Sequence, residues 1–159
     1  MAEKTKKKRR KPVAGDARTI AACERLGWLA GKVERRLPMG VGHPGGTSIY
    51  LFGFVDIVAI PSFAPGVIFI QSTVGSNGNL QARIRKAVEQ YPDRVRRILN
   101  ARNRIEFWCW RKYARKTASG RKSKSKVWDA VRWTLGLDES NAIVSREVFR
   151  YSELLHIAR

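Results

Sequence analysis

Histidine and cysteine are nearly missing from this chain, two of each in 159 residues. Cys23 and Cys109 stand far apart among apolar neighbours. They form neither a disulfide framework nor the paired ligands of a zinc site, and read as buried thiols of a reducing compartment. No apolar run is long enough to cross a bilayer and no strongly amphipathic basic helix is evident, so no membrane partner is expected. The charged N-terminus has no apolar core of the signal-peptide kind, which argues against export. No internal repeat is visible. Acidic residues are few beside the basic ones, 13 Asp and Glu against 32 Lys and Arg, a formal net charge of +19. A field of that sign favours a polyanion, and nucleic acid is the commonest one.

The positive charge is blocked. Residues 3–12 hold seven basic residues against one acidic, and such a block cannot fold on itself. Residues 1–14 are therefore expected to be a disordered arm whose Lys6, Lys7, Lys8, Arg9 and Arg10 either touch phosphates or only solubilise. Without that segment the chain still carries 19 − 6 = +13. A second block, residues 111–126, has eight basic residues and no acidic one: Arg111, Lys112, Arg115, Lys116, Arg121, Lys122, Lys124 and Lys126. With Gly120 and three serines it reads as a flexible basic hairpin tip or loop. Residues 15–135 form the expected domain, with 136–159 as an extension packed on it.

The rest of the chain is organised around residues 52–73, two short apolar runs joined by a loop with Pro61, Pro65 and Gly66, which reads as strand, turn and strand. Side chains alternate faces in a strand, so Phe54, Asp56, Val58 and Ile60 share a side, as do Val67, Phe69, Gln71 and Thr73. If Ile60 pairs antiparallel with Val67, facing positions sum to 127 and Asp56 meets Gln71, with Thr73 just beyond. Three polar groups then converge at one end of an apolar hairpin, where burial is costly unless they find partners. The plainer alternative is a strand end where the chain returns to solvent.

Around the hairpin, Asp16 is a candidate N-cap for a helix at 17–26 ended by Gly27, and 28–36 reads as one strand. Residues 37–48, with His43, form a loop. Leu80, Ile84, Ala87, Val88 and Tyr91 recur at helical spacing, leaving Gln81, Arg83, Arg85 and Lys86 off the apolar stripe. They point toward a phosphate or merely face solvent. Pro92 suits the first turn of a short helix. Strands follow at 104–110 and 127–135, then an extended stretch at 142–145 and a terminal helix. The expected class is α/β.

The string GFVDIVAI…VIFIQST resembles the core of PD-(D/E)xK nucleases, with Asp56 at the motif's aspartate and Gln71 at its second acidic position. Thr73 stands where the motif has lysine. The longer string through NLQARIRK is similar to small phage and bacterial nuclease-like proteins, over roughly residues 16–112. The resemblance implies a mixed central sheet flanked by helices, a restriction-endonuclease or resolvase-like core. It also implies Mg²⁺ or Mn²⁺ held by Asp56, Glu34 and Gln71, and hydrolysis of DNA rather than RNA. Glu34 is preferred to Asp16 as the third acidic residue, because Asp16 already has a capping role. The missing lysine leaves an opposite reading standing: a non-catalytic nucleic-acid-binding protein, or a basic structural one, on the same scaffold. Lys32, Arg83 and Lys86 are the candidate replacement cations. Lys32 or Arg83 is equally able to neutralise the carboxylates and leave the site inert. The expected setting is the cytoplasm of a bacterium or phage-infected cell, and a homodimer is left open.

Overall fold

The hairpin read from the sequence lies inside the main sheet, its strands second and third of six. In chain order the elements are α1 (Gly15–Arg25), β1 (Leu29–Lys32), β2 (Arg35–Arg36), β3 (Ser48–Ile49), β4 (Ile57–Ile60), β5 (Ile68–Val74), α2 (Asn77–Gln90), α3 (Pro92–Asn100), β6 (Arg104–Lys116), β7 (Lys122–Leu137), β8 (Ile143–Val148) and α4 (Tyr151–Ile157). This computed structural model describes residues 14–36, 48–62, 64–116 and 122–157. The N-terminal arm with Lys6, Lys7, Lys8, Arg9 and Arg10, the loop at 37–47 with His43, and Arg121 lie outside them.

The six-stranded mixed sheet has the order β1-β4-β5-β6-β7-β8. β1, β4 and β5 run as an antiparallel meander, and β5 pairs parallel with β6 across the α2–α3 connection. Ile57 faces Ile70, Val58 faces Phe69 and Ala59 faces Ile68, the expected register. Apolar positions alternate between two cores. Ile57, Ala59, Ile68 and Ile70 join α1, Trp28, Trp108, Trp110 and Tyr151 of α4 on one face, while Val58 and Phe69 join Phe54 and the stripes of α2 and α3 on the other. The class is α/β with helices on both faces.

Four expectations change. The strand expected at 28–36 breaks after Lys32, because the N–H groups of Val33 and Glu34 both donate to the Asp56 carbonyl, at 2.8 and 3.2 Å. A ladder cannot continue through two donors aimed at one acceptor. The first hairpin strand starts at Ile57, later than expected; Leu51 and Val55 close a tight turn through Phe52 and Gly53, both at positive φ. Asp16 does not cap α1. The helix begins at Gly15 after Ala14, which makes no side-chain cap. At its other end Gly27, at φ 73°, lets Trp28 N–H reach the Cys23 carbonyl, the expected glycine stop. Finally, most of 111–126 is strand: β6 runs to Lys116 and β7 begins at Lys122, still paired. The two strands satisfy each other's backbone, so no apolar alternation is required beyond the edge of the cores. Residues 136–157 are built in, β8 as an edge strand paired with β7 and Tyr151 in the core.

Candidate functional site

Released from capping, the Asp16 carboxylate turns sideways from the first turn of α1. Its Oδ2 lies 2.8 Å from Nζ of Lys32, the last residue of β1. Lys32 shares a strand face with Trp28 and Ala30, which pack into the α1-side core, so it projects toward the start of that helix. The same ammonium lies 2.7 Å from Oε2 of Glu34. The two carboxylates hold Lys32 well above the usual lysine range, Asp16 contributing most.

Asp56 ties this group to the hairpin. Its carbonyl accepts from Val33 and Glu34 and so fixes the segment that carries Glu34. Its carboxylate Oδ2 accepts from Gln71 Nε2 at 2.5 Å and from Ser72 N–H at 2.8 Å. The residue is 3% exposed. Burial pushes the carboxyl up to about 7, with the Asp16 and Glu34 carboxylates adding to the rise and the Ser72 and Gln71 donors opposing it. Asp56 and Gln71 therefore meet as the register requires, with Glu34 and Asp16 beside them. Thr73 is half-buried and pairs with Cys109 of β6. Behind Ser72, its Oγ shares a hydrogen bond with Thr19 Oγ1 at 2.8 Å, and Trp110 Nε1 donates to the same Thr19 oxygen. This anchors the start of α1 against β5.

Carboxylate and amide oxygens are the donors a hard divalent cation takes, but as arranged these residues do not fit one. Among the described residues no three His, Cys, Asp or Glu side chains are grouped to hold a metal. Lys32 spans Asp16 and Glu34, and Gln71 meets Asp56 as an N–H donor and not through its oxygen. Of the expected set, Glu34 is paired with Lys32, while Asp56 and Gln71 bond each other.

A basic ribbon rises from the same end of the sheet. Val74, the last residue of β5, pairs with Trp110, and β6 continues six residues further to Lys116. Across it, β7 places Trp128 opposite Lys112 and Lys126 opposite Ala114. Lys112 and Lys126 are exposed. Lys112 Nζ lies 5.3 Å from the centre of the half-buried Trp128 ring, and the Arg18 guanidinium, from the first turn of α1, lies 4.0 Å from it. Arg115, Lys116, Lys122 and Lys124 belong to these strands by their backbone. Arg111 instead turns to Asn77 Oδ1 at the start of α2.

The cations expected on α2 sit differently. Lys86 lies over the Tyr50 ring at 5.6 Å, and Arg83 is half-buried. Gln81 and Arg85, read as either aimed at a phosphate or facing solvent, line a depression of about 210 Å³ with Ile143 and Ser145 of β8. Sequence reasoning passed over Ser72, Arg18 and Trp128, and set Asp16 second to Glu34. The clue to Asp16 was weak: a cap needs a residue just outside the helix, and position 16 proved to be inside it. The chain matches no family model, and comparison with curated proteins and with solved structures finds none that is similar.

Proposed function

We propose that this is a DNA-binding protein with a nuclease-like core, whose carboxylate site is closed by Lys32 and lies beside a basic ribbon that holds the nucleic acid. One observation carries the reading: a single turn of α1 joins the two features. Asp16 in that turn belongs to the carboxylate group, and Arg18, two residues on, stacks on Trp128 at the root of the ribbon. Exposed Lys112 and Lys126 extend the positive surface from there, and the net charge of +19 supplies the long-range field. Phosphate neutralisation by lysine and arginine drives such binding without sequence readout.

A second reading, phosphodiester hydrolysis with Mg²⁺ or Mn²⁺, draws support from the charge of the site. The Asp16 and Glu34 carboxylates stand against one ammonium, and Asp56, pushed up to about 7, adds a third negative charge above that pH. Lys32 must leave them before a divalent ion can enter. Fluorescence anisotropy on labelled duplex DNA in EDTA, followed by gel analysis after incubation with Mg²⁺ or Mn²⁺, tests both. The expected result is tight binding in EDTA with the DNA intact. Absence of binding sinks the first reading. Cleavage that Asp56→Asn abolishes replaces it with the second.

A further inference from the structure

We infer that the paired strands of β6 and β7 beyond the sheet, from Arg111 to Lys116 and from Lys122 to Trp128, enter the major groove of duplex DNA. The duplex is thereby held beside the carboxylate site. This rests on the DNA-binding reading above and specifies its ligand.

The argument begins with where the ribbon stops being part of the body. Inside the sheet, β6 is flanked by β5 and β7. From Arg111 onward only β7 remains beside it, because β5 ends at Val74 opposite Trp110. On the other side, β8 pairs with β7 only from Leu137 to Arg132. Among the described residues the result is a two-stranded ribbon with no third strand on either flank. At ~3.3 Å per residue the six residues beyond Trp110, from Arg111 to Lys116, span about 20 Å. Two strands ~4.8 Å apart, with side chains, match the roughly 12 Å width of the B-DNA major groove, which is about 8.5 Å deep. The ribbon is thus long enough for its outer part to reach the groove floor while its root stays outside, against the backbone.

The composition of the two strands points the same way. Residues 111–116 and 122–128 hold seven basic residues and no acidic one, a composition complementary to the walls of a phosphate-lined groove. The root is stiffened by the Arg18 and Lys112 contacts to Trp128 and by the Arg111–Asn77 hydrogen bond. Asp129 is excluded from the groove-facing set, since its carboxylate accepts from the Ser152 hydroxyl and N–H at the start of α4. Nothing acidic is therefore offered to the phosphates along the described part of the ribbon. An A-form RNA helix has a major groove too deep and narrow for side chains to read, and a single strand has no groove at all.

Dimethyl sulfate footprinting on a short duplex saturated with the full-length protein tests this directly. Guanine N7 lies in the major groove and adenine N3 in the minor. Protection of guanine N7 with adenine N3 left reactive is the expected pattern. The exposed double variant K112E/K126E is expected to lose tenfold or more in duplex affinity and the N7 protection with it. The wild type is expected to bind an RNA duplex of the same sequence at least tenfold more weakly. Protection at adenine N3, or equal affinity for duplex RNA or single-stranded DNA, overturns the groove assignment. DNA binding and N7 protection that both survive K112E/K126E overturn the ribbon alone. Absence of any DNA binding removes the functional reading itself. The footprint uses unmodified protein, so the test stands even if the variant fails to fold.

Discussion

Replacing the Asp56 carboxylate with an amide, Asp56→Asn, tests the electrostatics of the carboxylate site in isolation from any ligand. The folded carboxyl titrates near 7 because it is buried beside Asp16 and Glu34, against an ordinary value near 3.9 in the unfolded chain. Between about pH 4 and about pH 7 the folded protein therefore holds a proton that the unfolded chain has released. More protons on the folded state means that stability falls as pH rises. Each unit of difference corresponds to about 1.4 kcal/mol, so roughly three units amount to about 4 kcal/mol lost from Asp56 across that window. The substituted amide does not titrate, and it retains an oxygen for the Ser72 N–H. Urea unfolding of wild type and Asp56→Asn at matched pH values from 3 to 9 isolates the effect. The stability of wild type minus variant should be flat below about pH 4, fall by about 4 kcal/mol toward pH 7, and level off above it. A difference that stays constant, or that grows with pH, would refute the account of Asp56 as a buried carboxyl crowded by two others.

Two further perturbations address the neighbouring structure. Lys32→Met removes the ammonium between Asp16 and Glu34, and calorimetry should show Mn²⁺ uptake at least tenfold tighter than in wild type; no gain would mean that Lys32 is not what closes the site. Arg132→Ala strands the Glu106 carboxylate, which is buried and accepts from Arg132 at 2.7 Å and from Trp108 Nε1 at 2.8 Å. Breaking such a pair should cost about 3–5 kcal/mol in chemical unfolding, and a loss under about 1 kcal/mol would show that water reaches Glu106.

The hairpin was legible because its information is local: period-two apolarity and a turn rich in proline and glycine set the register that brings Asp56 to Gln71. The helical stripe of α2 was legible for the same reason. The break at Val33 was not, because it depends on one carbonyl, that of Asp56, reached from a different strand. Residues 111–126 were read only as a flexible basic hairpin tip or loop, and the length of the paired strands was not legible, because pairing between strands leaves no apolar alternation once both faces meet solvent. Lys32 posed a different difficulty. Its two roles, replacement cation or internal neutraliser, differ in where a single Nζ comes to rest, and that is fixed by Asp16 lying inside the helix and not at its cap. The third acidic residue was sought as a choice between Asp16 and Glu34, whereas the fold brings both to the same lysine.

The central claim is that duplex DNA is bound through the ribbon beside the carboxylate site, and the salt dependence of binding measures it most directly. Anisotropy titrations of a short duplex in EDTA, from low to physiological salt, give the slope of log K against log salt. Each neutralised phosphate contributes about −0.9 to it. Wild type should show a slope of several units, and K112E/K126E should flatten it by about 2 while weakening binding. A wild-type slope near zero, or a slope and affinity that the double substitution leaves unchanged, would place the phosphate contacts elsewhere and contradict the account.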